Sequence, residues 1–306
     1  MTDTRQTPPA PGGTATLAGR PVARIGFGAM QLGEGFGGRA TVSDEVAVAV
    51  LRRAAEGGVD HIDTAQFYGD GTANRRIRAA LAPYPETLAL VSKVGADRRG
   101  AGLVAAQRPA ELRASVEANL ATLGVDRLAV VNLRRADVPP GLVTEGEQRV
   151  DMDAQLAEMI ALRDAGKIGG IGLSHVSAEQ VEKALPAGIV CVQNAYSVLD
   201  RSAEPVLDVC RAHDIAWVPY FPLGSAFPQI AKASDHPEVT AIAGRIGATP
   251  AQIALAWLVA SYEHTLLIAG TSSIAHLTEN IAAGEVRLDA EALTTLDEIG
   301  AATISR

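Results

Sequence analysis

The chain has 306 residues, 47% of them hydrophobic and 20% charged, enough for a sizeable core in one large α/β domain or two ordinary ones. Asp and Glu outnumber Lys and Arg by 35 to 27, a net charge of −8; this argues against nucleic acid or an anionic membrane as partner, since both call for a cationic surface. Two cysteines, Cys191 and Cys210, exclude a disulfide scaffold and fit a reducing compartment.

The opening stretch, MTDTRQTPPAPGGTAT, is rich in Pro, Gly and Thr. It predicts a disordered tail over residues 1–15, with the folded domain over 16–306. It carries no apolar stretch behind its charges, so it does not read as a secretory signal. No run of about eighteen apolar residues follows, so no transmembrane helix is expected and the default location is the cytoplasm. Residues 16–25 suggest a hairpin.

From about residue 25 a short apolar run alternates with a longer stretch of helical period. GFGAM (26–30) leads into Ser43–Gly57, where Ser43 is the expected N-cap and Val46, Val50, Leu51 and Ala54 share a face. HIDT (61–64) precedes a helix near Asn74–Leu81. TLALVSK (87–93) precedes a helix opening at Pro109, with Leu112, Val116, Leu120 and Leu123 on one side. RLAVVNL (127–133), IGGIGLS (168–174), IVCVQN (189–194), IAWVPY (215–220) and TLLIAG (265–270) each lead into a further helix, and one more runs from about Asp289 to Ile299. Short strands apolar on both faces suit a parallel sheet buried by helices. Eight such units with no linker predict a single α/β domain, a (β/α)8 TIM barrel. The longer connections at 94–108, 134–150 and 221–248 all follow strands, which places them on the face where such barrels build sites.

Gly33–Gly38 matches G-x-G-x-x-G, the dinucleotide fingerprint of an open sheet. That fingerprint requires a helix to open within the glycines. Here the first cap, Ser43, lies five residues later, so a loop is the expected reading.

In a barrel the strand ends converge on one rim. Asp63, Lys93, Arg134, Ser174, His175, Gln193, Asn194 and Tyr220 all lie at such ends, with Tyr68 in the loop after Asp63. Taken singly, each reads more readily as a cap, packing or solvated residue than as a chemical group. Together, Asp63 and Lys93 can pair and set the ammonium against the Tyr68 hydroxyl. A cation about 4 Å away at an effective dielectric of about 20 is worth about 4 kcal/mol, an upper bound of about three pKa units. Tyr68 is therefore expected to be lowered from about 10 toward the range of a general acid.

The motifs GVDHIDTAQFYG (58–69), VSK (91–93), GLS (172–174), VQN-x-Y (192–196), PLGS (222–225) and GTSS-x-x-HL-x-EN (270–280) resemble those of the aldo-keto reductases, in that family's order. The resemblance implies a TIM barrel, no metal, and NADPH as cofactor with NADH less favoured. It implies Asp63, Tyr68, Lys93 and Arg134 as catalytic positions. Ser174, His175 and Gln193 would surround the nicotinamide, with Tyr220 and Phe221 beside its ring and Gly28 and Met30 along the cofactor. Leu223, Gly224 and Ser225 would follow the pyrophosphate. Gly270, Thr271, Ser272 and His276 would reach the adenosine phosphate, and Glu279 and Asn280 the adenine. The partner would be a small carbonyl compound, with neither nucleic acid nor membrane; nothing in the sequence speaks to oligomeric state.

Three positions depart from the family pattern. Arg134 replaces the usual histidine, His175 an asparagine, and His276 a basic residue that supports the 2′-phosphate. A fixed positive charge at 134 would lower Tyr68 further. The VVNLR variant, with FGAMQL (27–32) and VCVQN (190–194), is similar to the branch of the family that reduces pyridoxal. A reductase of another aldehyde or ketone, such as a keto sugar or an antibiotic precursor, and a nucleotide-binding sensor with little turnover are the alternatives. Cys191, Cys210, Trp217 and Trp257 read as core.

Overall fold

The computed structural model describes residues 9–34, 42–100, 102–137, 142–224 and 230–304. Strands β1 (Thr14–Leu17) and β2 (Arg20–Ala23) form the expected antiparallel hairpin, starting two residues ahead of the predicted boundary. The chain before it is already tied down: Ile25 N donates to Pro11 O at 3.1 Å and Arg24 N to Gly13 O at 2.9 Å. The predicted tail is thus too long at its inner end, because residues 11–13 pair with 24–25. Residues 1–8 of that tail lie outside the described residues.

The alternation then follows. Its strands are β3 (Phe27–Gly28), β4 (His61–Asp63), β5 (Ala89–Val94), β8 (Leu128–Arg134), β9 (Ile168–Ser174), β10 (Ile189–Gln193) and β11 (Ala216–Trp217). A small hairpin, β6 (Ala96–Arg99) with β7 (Gly102–Ala105), fills part of the connection predicted as loop at 94–108. The helices are α1 (Asp44–Glu56), α2 (Thr72–Leu81), α3 (Pro109–Leu123), α4 (Met152–Asp164), α5 (Ala178–Ala184), α6 (Glu204–Ala212), α7 (Pro237–Ile246), α8 (Pro250–Ser261), α9 (Ile274–Ala282) and α10 (Ala290–Ile304). Helix α7 lies inside the 221–248 insertion, where the sequence reading has only a connection.

The seven long-range strands make one parallel sheet in the order β11-β10-β9-β8-β5-β4-β3. The expected last strand, 265–270, is reduced to isolated bridges that touch both edges of the sheet. Leu266 N donates to Trp217 O and Gly26 N to Leu267 O, both at 2.8 Å. The predicted strand 215–220 is also short. Pro219 has no N–H, so the ladder breaks there and resumes only as a bridge from Tyr220 to Ala195.

One apolar cluster lines the inner face of the sheet, including Ala89, Val91, Val130, Cys191, Val218 and Leu266. The hairpin caps it with Leu17 and Val22. The larger cluster lies between sheet and helices, with Trp217 and Trp257 deep inside. Both cysteines are buried, and burial pushes Cys210 up to about 12, so neither serves as a reactive thiol.

Helix starts follow local chemistry. Ser43 Oγ accepts from Val46 N at 3.4 Å, and Ser177/Gln180 and Thr249/Gln252 form capping boxes. Two faces differ from the predicted ones. In α1 the buried set is Ala47, Val50, Leu51 and Ala54, while Val46, in the first turn, is 44% exposed. In α3 Asn119 joins Leu112, Val116 and Leu123 on the buried face, and Leu120 is only half-buried. Of the glycine run 33–38, residues 35–38 lie outside the described residues. Among the described residues no single helix is long and apolar enough to cross a membrane.

Candidate active site

Parallel strands put their C-terminal ends on one rim, and alternation decides which side chains point inward. Asp63 ends β4 and Lys93 lies next to the end of β5; both are buried and form an ion pair. Lys93 Nζ also donates to Thr64 O at 3.1 Å and hydrogen-bonds the Tyr68 hydroxyl, with its nitrogen 5.0 Å from the Tyr68 ring centroid. Gln193, ending β10, donates from Nε2 to Asp63 Oδ2 at 2.9 Å. The carboxylate is therefore held from two sides and the ammonium from three.

Tyr68 stands in the loop between β4 and α2. Gly33 and Gly69 let two backbone segments pass there. A Cβ on Gly33 would lie 2.7 Å from the Tyr68 carbonyl carbon, and Gly69 has φ +67°. Phe67 meets the Tyr68 ring edge-on at 5.2 Å.

The titration of Tyr68 differs from the expected one. Burial is the largest influence and raises its hydroxyl above the ordinary phenol range; Lys93 pulls it down, Asp63 pushes it up and Arg134 pulls it down. Nearby charges alone would lower the hydroxyl; desolvation, the larger influence, reverses the direction. Burial also opposes the charge on Lys93, but Asp63 and Tyr68 beside it outweigh that and hold the ammonium above its usual value. At neutral pH the group is thus a protonated phenol against a protonated amine.

Arg134 ends β8, paired in register with Ser174 of β9. Two residues below it Asn132 points inward, so Arg134 faces the same interior, half-buried, beside Tyr68 and the Tyr220 hydroxyl. His175, with φ +57°, sets Nδ1 3.0 Å from the Tyr220 hydroxyl. Tyr220 packs edge-on against Phe221 at 5.0 Å. Ser174 Oγ and Gln193 Oε1 are buried without a hydrogen-bond partner among the described residues. A bound group offering both an amide donor and a carbonyl acceptor would satisfy them.

The remaining predicted positions form other groups. Gly28 and Gly270 touch through the backbone: a Cβ on Gly270 would lie 2.2 Å from Gly28 O. Gln31, next to Met30, donates to Gly270 O at 2.8 Å. Leu223 and Gly224 follow Phe221; Leu223 O accepts from Ala233 N at 3.1 Å, and Gly224 has φ +81°. Ser225 lies outside the described residues. Thr271 Oγ1 accepts from Ser273 N at 3.0 Å, and Ser273 caps α9. On α9, His276 is exposed, Glu279 half-buried and Asn280 buried.

Sequence reasoning missed Thr64, whose carbonyl binds the Lys93 ammonium. The signal was available, since its carbonyl follows Asp63 on the strand next to Lys93. Among the described residues no three His, Cys, Asp or Glu side chains are placed to hold a metal ion.

Comparison with known proteins gives a consistent picture. The Aldo/keto reductase family model matches residues 24–301. The chain is 44% identical to pyridoxine 4-dehydrogenase of Escherichia coli over 291 residues, 94% of this chain and 98% of that one. An aldo-keto reductase from Klebsiella pneumoniae in complex with NADPH superposes with a TM-score of 0.76 at 25% identity, covering 94% of each chain. A thermostable aldo-keto reductase in complex with the inhibitor epalrestat gives 0.78 at 28%, covering 94% of this chain and 99% of that one.

Proposed function

The chain belongs to the aldo/keto reductase family, and on that premise we propose that it reduces pyridoxal to pyridoxine with NADPH, Tyr68 donating the proton. The observation that carries the reading is the buried contact of Lys93 with both Asp63 and Tyr68. The 44% relative supports pyridoxal as the substrate. We read the fold as a closed (β/α)8 barrel, with residues 264–268 in the place of the eighth strand; their hydrogen bonds to both sheet edges support this.

The residues fit the cofactor. The unpartnered Ser174 Oγ and Gln193 Oε1 suit the two ends of a nicotinamide carboxamide, and Tyr220 offers a flat face beside them. Bound there, NADPH supplies the hydride. Tyr68 gives its proton to the carbonyl oxygen. Lys93 stabilises the phenolate left behind, and Asp63 with Gln193 keeps Lys93 in place. Water then returns the proton to Tyr68. Arg134, with its fixed charge, pairs with the ionised ring hydroxyl next to the pyridoxal aldehyde and turns the aldehyde toward Tyr68.

The test is NADPH and NADH oxidation with an aldehyde panel that includes pyridoxal and pyridine-4-carboxaldehyde, which lacks the hydroxyl. Steady turnover of pyridoxal is expected, with NADPH preferred. Tight NADPH binding without turnover on any member would instead favour a sensor. A charge-assisted hydrogen bond is worth about 1.5–3 kcal/mol, so Arg134→Met should lose about 10- to 150-fold in kcat/KM on pyridoxal and far less on the hydroxyl-free aldehyde. Equal losses on both would remove Arg134 from substrate recognition.

A further inference from the structure

On the helix side of the same two strands lies a polar cluster that takes no direct part in the proposed reaction. Thr64 follows Asp63 and Ser92 precedes Lys93, so alternation turns both side chains away from the site. Thr64 Oγ1 donates to Asn74 Oδ1 at 2.7 Å, and Asn74 Nδ2 donates to Asn119 Oδ1 at 2.9 Å. Ser92 Oγ donates to the same Asn119 oxygen at 2.6 Å. All four residues are 0% exposed.

Asn74 stands on α2 and Asn119 on α3, where an apolar face would be the ordinary choice against a sheet. Burying polar side chains is costly unless their bonds are complete, and these are closely matched. Asn119 Nδ2 is anchored to Ser115 O at 2.8 Å, and Asn74 Nδ2 also reaches Gln66 Oε1 at 3.1 Å, two residues before Tyr68. The four side chains therefore form an outer strap across the strands whose inner faces hold the Asp63–Lys93 pair.

We infer that Thr64, Asn74, Asn119 and Ser92 are positioning residues, a buried strap that sets how closely Lys93 approaches Tyr68. The link is direct at Thr64: its hydroxyl belongs to the strap while its carbonyl accepts from Lys93 Nζ at 3.1 Å. This rests on the reading of Tyr68 as proton donor. The charges facing the Tyr68 hydroxyl are Lys93 from β5, Asp63 from β4 and Arg134 from β8. Lys93 and Arg134 lower the phenol and Asp63 raises it, so drawing Lys93 away makes the phenol harder to ionise. Alcohol oxidation needs the phenolate, so its rising limb with pH moves upward when the strap is cut.

The experiment compares Thr64→Val, Thr64→Ser, Ser92→Ala and the Thr64→Val/Ser92→Ala double variant with wild type and Tyr68→Phe. Small misplacements at a reacting centre carry large rate penalties. Thr64→Val and Ser92→Ala should each lose about tenfold in kcat, keep the NADPH dissociation constant within about twofold, and shift the oxidation limb to higher pH. Thr64→Ser keeps the hydroxyl and should restore the wild-type limb. The double variant should lose no more than the worse single one, since either cut opens the same strap. Unchanged kcat and pH limb in both single variants, with only a lower Tm, would overturn the inference. An active Tyr68→Phe would overturn the proton-donor reading; an inactive one beside unaltered Thr64→Val and Ser92→Ala would overturn the strap alone. Should Thr64→Val fail to fold, Ser92→Ala carries the same comparison.

Discussion

Tyr68→Phe is expected to lower kcat for pyridoxal reduction by about 10²- to 10⁴-fold, the span that positioned general acids supply. The ring and its edge contact with Phe67 remain, so NADPH affinity should stay within about twofold and the fold should be intact. Only the hydroxyl beside Lys93 is removed. The pH profile gives an independent sign. Burial holds the wild-type hydroxyl above the ordinary phenol value of about 10, so Tyr68 keeps its proton throughout the neutral range. Reduction should be level there and decline only at high pH, while oxidation of the alcohol should climb with pH. A Tyr68→Phe enzyme at full rate, or a reduction rate that halves between about pH 6 and 8 with Tyr68 as the titrating group, would refute the assignment.

Lys93→Met has the second large effect, and it falls on both rate and stability. Lys93 is 5% exposed, and its ammonium binds Asp63, Thr64 O and Tyr68 together. Removing it leaves the Asp63 carboxylate buried without its partner, and breaking such a pair costs about 3–5 kcal/mol. For a large domain that corresponds to a fall in Tm of roughly 6–20 °C. The rate should fall at least as far as in Tyr68→Phe, because Tyr68 loses the charge that stabilises its phenolate. Lys93 is held above the usual lysine range, so its contribution to stability is complete at neutral pH and is lost only as pH rises through that higher value. The double variant Asp63→Asn/Lys93→Met should recover part of the Tm but none of the rate. A Lys93→Met enzyme with wild-type Tm would show that the pair is not buried as described.

Much of this molecule is legible from local chemistry. Ser43 announces a helix start because a cap depends on three or four neighbouring residues. Ile168–Ser174 keeps its predicted limits because its apolar run is itself local to the chain. Asp63, Lys93 and Tyr68 could be named because strand ends and alternation follow from the chain itself. The misses have long-range causes. In α1 the elements packed against it from elsewhere in the chain, α2 and α9 among them, leave Val46 exposed and Ala47 buried. Strand 265–270 is only a pair of bridges, to Trp217 and Ile25 at opposite edges of the sheet, which no local pattern announces.

The alternation of strands and helices along the parallel sheet, the candidate residues and the family thus follow from sequence alone, since each depends on short spacings and residue types, whereas α7 and the β6–β7 hairpin do not. The direction of the Tyr68 titration was decided by tertiary structure, because desolvation sums over every element that closes around the hydroxyl. The same holds for the strap from Thr64 to Ser92, which exists only where α2 and α3 bring two asparagines together behind the strands.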